Sequence, residues 1–224
     1  MGPTAMIALL WLGFAITHMA LSSVTFRPRL VGVLGDRGFQ GVYSLIALAF
    51  FVPLVWVYFD HKHAGPLLWA IPVGGTLRWA IHIGMGLSFV LLIAGVMNAS
   101  PASMTATDTD ASAQPSGVHF ITRHAVFMAT AVFGLLHLIP NGFATDVAFF
   151  SGFPIFALVG SIHQDRRKIE TEPERYKAFH ESTPLLPFTG RQTLRGLKEL
   201  SKLAVGIGVG VTVLVRYFHS SWFS

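Results

Sequence analysis

The sequence predicts an all-α fold, a polytopic membrane bundle of about six transmembrane helices that forms a single domain over residues 1–224. Only 12% of the residues are charged, which is about half the share found in soluble domains. Hydrophobic residues make up 52% of the chain, and its mean hydropathy is +0.57. Several apolar runs approach the roughly 20 residues that a helix needs to cross a bilayer, and they are too long for barrel strands.

Six apolar runs are interpreted as the transmembrane helices. The first run could be taken for a signal peptide, but Arg27 and Arg29 follow it as in a stop-transfer pattern, so we expect it to remain in the mature protein. Pro53 lies inside the second run, where neighbouring helices can accommodate a kink. The predicted helices cover residues 4–22, 41–59, 77–97, 118–139, 145–161 and 200–217.

Three polar or small-residue segments separate these runs. In the first loop, Gly35 and Gly38 permit tight turns. Residues 98–117 contain no aromatic and no basic side chain, which is typical of a flexible, solvated connector. Residues 162–199 are polar, and we expect a short surface helix to begin there near Pro173.

The last predicted helix contains two glycines at the spacing used for close helix contacts. Gly206 and Gly210 form a small-xxx-small pair. Such pairs serve packing between neighbouring helices of one chain as well as dimerisation. We expect plain packing here.

The basic residues predict the orientation of the chain in the membrane. Residues 23–40 carry three arginines and residues 162–199 carry eight lysines and arginines, whereas the opposite side holds Lys62, Arg78 and Arg216. The positive-inside rule therefore places both loops in the cytoplasm and both termini outside it. This distribution accounts for the net charge of +5, so no nucleic-acid partner is expected and the lipid bilayer is the predicted partner.

Four histidines lie within the predicted membrane helices, where ionisable groups are costly and commonly functional: His18, His82, His124 and His137. They suit a haem, another imidazole-bound metal, a proton relay or plain packing. The chain has no cysteine, which excludes disulfides and thiolate ligands. No acidic residue lies deep in a predicted helix, which speaks against a hard-metal site or a carboxylate relay. Five further histidines lie in loops or at helix ends, where we expect most of them to be solvated: His61, His63, His163, His180 and His219.

Geometry restricts which histidines could share one iron. His124 and His137 are separated by about 20 Å if both lie on one helix, and they point to different faces. A second ligand would therefore come from His18 or His82. By depth in the membrane, His18 pairs best with His124, and His82 with His137. Arg123 is expected either to bind a haem propionate or lipid phosphate or to extend toward the headgroups.

A series of short motifs gives the chain a resemblance to the NnrU family. Each motif is weak alone, but their order and spacing together resemble the family pattern over nearly the whole chain outside the connector. The motifs are His18 with Ser22-Ser23, Arg27, Tyr43-Ser44, Arg123-His124, His137, Asn141-Gly142, Gly152 and Asp165-Arg166-Arg167.

The resemblance carries implications for function. NnrU proteins are bacterial inner-membrane proteins associated with nitrite and nitric oxide reduction, and the family includes a zeta-carotene isomerase that contains haem b. The resemblance implies haem b as the cofactor, His18 and His137 as its axial ligands, and an Arg-His-Pro motif at Arg123-His124-Ala125. It also implies nitrogen-oxide respiratory proteins as partners or an apolar polyene as substrate.

Three positions depart from the isomerase pattern. Ala125 replaces the proline of Arg-His-Pro, Gly134 stands where the isomerase has a cysteine, and Phe156 stands where it has a further histidine. Three functions therefore remain open at this point. These are the functions of a haem-binding protein of nitrogen-oxide metabolism, of a haem-dependent polyene isomerase, and of a non-catalytic structural membrane component.

Overall fold

The structure is a computed structural model that describes residues 1–101 and 114–223. The described residues form eight α-helices and one 3-10 turn, and a lone β-bridge joins Leu67 to Phe143. The helices are α1 (Pro3–Leu21), α2 (Phe26–Asp60), α3 (Gly75–Met97), α4 (Ala125–Leu138), α5 (Ala144–Thr171), α6 (Pro173–Ser182), α7 (Thr193–Glu199) and α8 (Lys202–Phe223), with the 3-10 turn at Gly117–Phe120.

The all-α membrane fold predicted from composition is confirmed. Five helices, α1, α2, α3, α5 and α8, are long and apolar enough to cross a bilayer. Helix α4 is also apolar but has 14 residues, so its length of about 21 Å falls short of a hydrocarbon core of about 30 Å. The chain is therefore a multi-pass membrane protein with about six apolar helices.

The predicted fourth helix starts later than the hydropathy suggested. Helix α4 begins at Ala125 rather than at Val118. The intervening residues form the 3-10 turn and an irregular, buried segment. Its backbone bonds elsewhere: the amide of Arg123 donates to the carbonyl of Pro184 at 2.9 Å. Hydropathy predicts that this segment is buried, but it does not predict the hydrogen bond to Pro184. His124 therefore lies just before α4 and not within it.

The first predicted loop is largely helical. Helix α2 begins at Phe26 and is interrupted at Gly35, where φ is +68°. A residue with a Cβ rarely adopts this left-handed conformation, whereas glycine adopts it readily. The change of direction therefore occurs at one residue, and the chain continues as helix to Asp60. Pro53 lies within this helix as expected.

The described chain divides into two compact units. Unit 1 contains residues 1–72 and 137–156, and unit 2 contains residues 73–136 and 157–224. The core of unit 2 is built partly from small residues, among them Ala94, Ala129 and Ala204. Such residues allow helices to approach closely in a membrane. The predicted single domain over residues 1–224 stays a prediction.

Helix α8 packs on α3 in unit 2 through a glycine other than the predicted pair. A Cβ at Gly206 or Gly210 would meet nothing within 4 Å. A Cβ at Gly208 would lie 2.7 Å from the Cα of Val90 on α3. The prediction that Gly206 and Gly210 serve packing is therefore wrong, because they lie on faces of α8 that meet no described neighbour.

The polar segment after the fifth membrane helix is more ordered than a loop. Helix α5 continues to Thr171, and the short helix predicted near Pro173 is confirmed as α6, which begins at that residue. Proline suits a first helical position because it lacks the amide hydrogen that would have no partner there. The cytoplasmic location of residues 162–199 stays a prediction. In the predicted flexible connector, 98–117, residues 102–113 lie outside the described residues.

Candidate functional site

His18 lies in the last turn of α1, within an aromatic cluster of unit 1. Its ring stacks on Phe14 with centroids 5.1 Å apart, and it lies 4.4 Å from the ring of Tyr43 and 5.2 Å from that of Phe156. The Ser22 hydroxyl donates to the His18 carbonyl at 2.7 Å. This bond satisfies one of the carbonyls that a helix end leaves without an internal partner.

His137 occupies a closely similar position at the end of α4. It lies in the last turn, and the side-chain amide of Asn141 donates to its carbonyl at 2.8 Å. Its ring stacks on Phe150 of α5 with centroids 4.7 Å apart and planes inclined by 19°. Both predicted iron ligands therefore end a helix, and a polar side chain four residues on bonds each carbonyl.

Both histidines lie against α5, which relates them to each other. His18 contacts Phe156 and His137 contacts Phe150. These phenylalanines are six positions apart, a rise of about 9 Å along the helix axis. Of the predicted histidine pairs, His18 and His137 alone belong to the same unit.

Two glycines of the motifs that the chain shares with the NnrU family, Gly142 and Gly152, make room for tryptophans in unit 1. A Cβ at Gly152 would overlap the indole of Trp11, whose Nε1 donates to the Phe149 carbonyl at 3.0 Å. A Cβ at Gly142 would overlap the backbone of Trp69. These contacts fix α1 and the segment after α2 against the region that carries His137. The motif glycines therefore have a packing reason that the sequence alone did not reveal.

Arg123 and His124 have a partner in unit 2 that the sequence analysis did not assign. The guanidinium of Arg123 bonds Asp165 Oδ2 through Nε at 2.9 Å and through Nη2 at 2.8 Å. Nε2 of His124 donates to Asp165 Oδ1 at 2.7 Å. All three side chains are buried. The predicted role of Arg123 and His124 in holding a cofactor stays a prediction, and the structure gives both residues a different contact.

Two residues of α6 complete this buried network. The hydroxyl of Tyr176 donates to Asp165 Oδ1 at 2.5 Å, and Nε2 of His180 lies 3.1 Å from Nη2 of Arg123. Burial raises the pKa of Tyr176, and the nearby Asp165 carboxylate adds to this shift. Burial lowers the pKa of His180, and the Arg123 charge lowers it further. Neutral forms of both groups are therefore favoured.

Sequence reasoning missed this network, although a signal was present. Asp165 belongs to one resembling motif and Arg123-His124 to another. Both motifs lie at the ends of apolar runs, and a buried charge is normally paired with an opposite charge. Their opposite charges were therefore a signal that the two motifs contact each other. Tyr176 and His180 carried no such signal, because His180 was expected to be solvated.

A second buried carboxylate lies in unit 1. Asp146, in the first turn of α5, is fully buried. It accepts the His63 amide at 3.1 Å and lies 2.9 Å from Nδ1 of that ring. The positive end of the α5 dipole favours a carboxylate there. His63 was expected to be solvated, but its ring is only half-exposed and holds the loop before α3 against α5.

The described residues contain no cluster of three or more His, Cys, Asp or Glu side chains able to hold a metal ion. A pair of imidazoles on separate helices is the donor set that haem iron accepts. His18 and His137 are imidazoles on separate helices of unit 1, each with a phenylalanine ring beside it. The chemistry of the residues present therefore fits a bis-histidine haem.

The fold and these sites define a class of protein, a multi-pass helical membrane protein with a histidine in the last turn of two of its helices. The chain belongs to the NnrU protein family, which it matches over residues 5–224. The resemblance found in the motifs is thereby confirmed. No solved structure matches the chain significantly.

Two curated relatives have a named activity. The chloroplastic 15-cis-zeta-carotene isomerase of Arabidopsis thaliana is 26% identical over 204 residues, which are 86% of this chain and 53% of the relative. The Zea mays enzyme of the same name is 24% identical over 196 residues, 83% of this chain and 51% of the relative. The chain thus spans about half the length of these relatives.

Proposed function

We propose that the protein is a haem b-binding membrane protein of the NnrU family, with His18 and His137 as axial ligands. The matched setting of the two histidines carries the proposal. Each lies in the last turn of its helix, each carbonyl is bonded by the side chain four residues on, and each ring lies beside a phenylalanine of α5. Bound haem would supply an iron centre, and the protein would supply its ligands.

The residues around the histidines have definite roles in this proposal. Ser22 and Asn141 bond the backbone carbonyl of each histidine and so hold the helix end that carries it. Phe14 and Phe156 pack on the ring of His18, and Phe150 packs on the ring of His137. A ligand set held in this way is oriented before the cofactor arrives, which favours binding.

An absorption spectrum tests the proposal. The protein is expressed with ample haem and purified in detergent, and we expect a Soret band with about one haem per chain for two imidazole ligands. His18→Gln and His137→Gln are expected to lose most of this haem while remaining folded by circular dichroism. His82→Gln, a membrane histidine of unit 2, is the matched control and is expected to keep it. Full haem content in both ligand variants would reject the assignment.

The family also supports a metabolic setting. We place the protein in the bacterial inner membrane, with periplasmic termini, in nitrite and nitric oxide metabolism. Deletion of the gene is expected to slow nitrite-dependent anaerobic growth, and the wild-type chain but not His18→Gln is expected to restore it. Growth that is unaffected by the deletion would reject the role in nitrite and nitric oxide metabolism, but it would not bear on the haem assignment.

A second candidate function is cis-trans isomerisation of zeta-carotene or a similar polyene, which the two named relatives favour. The apolar side chains of unit 1 suit such a substrate, whereas Gly134 and Phe156 depart from the isomerase pattern. Expression in a bacterium that accumulates 15-cis-zeta-carotene, followed by chromatography of its isomers, tests the activity. An unchanged isomer ratio beside an active plant enzyme would reject it.

A further inference from the structure

The segment from Leu186 to Leu203 in unit 2 exposes large apolar and basic side chains together. We call it the 186–203 segment, and it contains α7. The segment contains a single acidic residue, Glu199. The exposed apolar residues are Leu186, Phe188, Leu194, Leu197 and Leu203, and the exposed basic residues are Arg191, Arg195, Lys198 and Lys202.

Helix α7 turns one face inward and leaves its leucines on the opposite side. Gly196 is buried, and a Cβ there would lie 2.9 Å from the carbonyl of Gly117. At about 100° per residue, Leu197 lies about 100° and Leu194 about 160° around the helix from Gly196. Leu194 is 74% exposed. Lys198, which is also exposed, lies about 200° from Gly196. The outward side of α7 therefore carries a stripe of exposed leucines with a lysine beside it, whereas a helix that faces water carries polar residues there.

Contacts within unit 2 hold α7 in this orientation. Glu199 accepts the Gly117 amide at 3.2 Å, and Arg195 lies over the ring of Phe120 at 4.4 Å. The ends of α7 cannot rotate to bury the leucines without breaking these contacts. The exposed leucines are thus a fixed feature of the surface.

The position of α7 in the chain indicates what covers this face. Helix α7 ends at Glu199, and the membrane-crossing helix α8 begins at Lys202. Two residues connect them, so α7 lies at the level where α8 enters the bilayer. A helix with leucines on one face and lysines or arginines beside them is typical of a segment that lies in the interface, where the basic groups attract anionic lipids.

We propose that the 186–203 segment lies in the membrane surface, with its leucines in the acyl boundary and its basic residues on anionic phospholipid headgroups. Leu194 and Leu197 supply apolar contact, and Arg191 and Lys198 supply the charge that selects the lipid. Arg195 acts mainly within the protein, through Phe120 and Glu199. The segment thereby fixes the start of α8 at a defined depth. This inference does not depend on haem binding.

A single cysteine tests the location, because the native chain contains none. Leu194→Cys is labelled with an environment-sensitive fluorophore, and the full protein is placed in nanodiscs of phosphatidylcholine with or without phosphatidylglycerol. We expect blue-shifted emission and strong quenching by nitroxide-labelled lipid. Glu174→Cys, an exposed position on α6, is the control and is expected to emit as in water. Leu197→Cys is a second probe on the same face if the first variant does not accumulate.

The charge requirement is tested with the same probe. We expect phosphatidylglycerol to increase the quenching, and we expect Arg191→Gln with Lys198→Gln, or high salt, to remove that increase. Emission from Leu194→Cys that matches the Glu174→Cys control would overturn the proposal. So would a blue shift that rises with protein concentration in lipid-free detergent, since it would indicate that a second copy of the chain covers the face.

Discussion

The carboxylate of Asp165 is bonded by several side chains of unit 2. Four donors reach its carboxylate: two from Arg123 and one each from His124 and Tyr176. A carboxylate offers about four lone-pair sites, so this one is satisfied. Because the group is buried, its charge and that of Arg123 depend on each other.

Replacing Asp165 with asparagine is expected to destabilise the protein strongly. The variant keeps the size of the side chain but leaves the Arg123 guanidinium buried without a counter-charge, at a cost of about 3–5 kcal/mol. We expect the thermal denaturation midpoint in detergent to fall by about 6–20 °C. Asp60→Asn is the control, since the Asp60 side chain is 66% exposed and lies 3.3 Å from Nδ1 of His61 at the surface. Equal midpoints for the two variants would contradict the structural role of Asp165.

At this scale the sequence was informative about residue types but not about partners. His18 and His137 stood out because they are ionisable groups in apolar runs. The sequence did not show that the helices carrying Asp165, Tyr176 and His180 pack beside Arg123. Contacts between segments distant in the sequence depend on the tertiary structure. The same limit applies to Asp146 and His63.

Among the elements, α3 and α8 show how closely two membrane helices pack when a glycine lies at their contact. Van der Waals contact contributes more than hydrophobic transfer to helix association in lipid, so the closest approach matters most. That approach occurs at Gly208, beside Val90. Gly206 and Gly210 fit the sequence motif but lie on other faces of α8.

Alanine at Gly208 is expected to separate α8 from α3. The added methyl group would meet the Val90 backbone, which cannot move as a side-chain end can, and we expect a loss of about 1–3 kcal/mol. Gly206→Ala is the matched control on the same helix and is expected to be neutral or stabilising by up to about 1 kcal/mol. Both are measured by thermal denaturation in one detergent. A greater loss for Gly206→Ala than for Gly208→Ala would contradict this packing.

Hydropathy predicted which elements exist better than where they begin. It identified all five long helices and the apolar character of α4. It placed the start of α4 too early, because buried irregular backbone has the same hydropathy as helix. It missed the helical part of the first loop, since arginines on an exposed helix resemble a loop in composition.

For the whole molecule, the buried network makes stability depend on pH. His180 has a lowered pKa in the folded state because it is partly buried near Arg123, with Asp165 and Tyr176 beside it. The unfolded chain binds a proton at this residue near the ordinary value of about 6.5. Stability is therefore full above pH 6.5 and is lost as the pH falls below it, because the unfolded state then binds more protons.

His180→Gln is expected to weaken this dependence. The denaturation midpoint of the native chain should fall between pH 7 and pH 5, and the variant should show a shallower fall because glutamine does not titrate. His219→Gln, at the exposed end of α8, is the control and should keep the native slope. A slope that is unchanged in His180→Gln would assign the pH dependence to other groups.

The hydrogen bond between Trp11 and Phe149 joins residues 138 positions apart in the sequence. During synthesis, α1 enters the bilayer long before α5 leaves the ribosome, and the indole N–H has no water to bond in the hydrocarbon. Insertion and assembly are thus separated in time for the first helix. Nascent chains that stop before α5 therefore keep a Trp11 indole that lacks the acceptor it has in the complete fold.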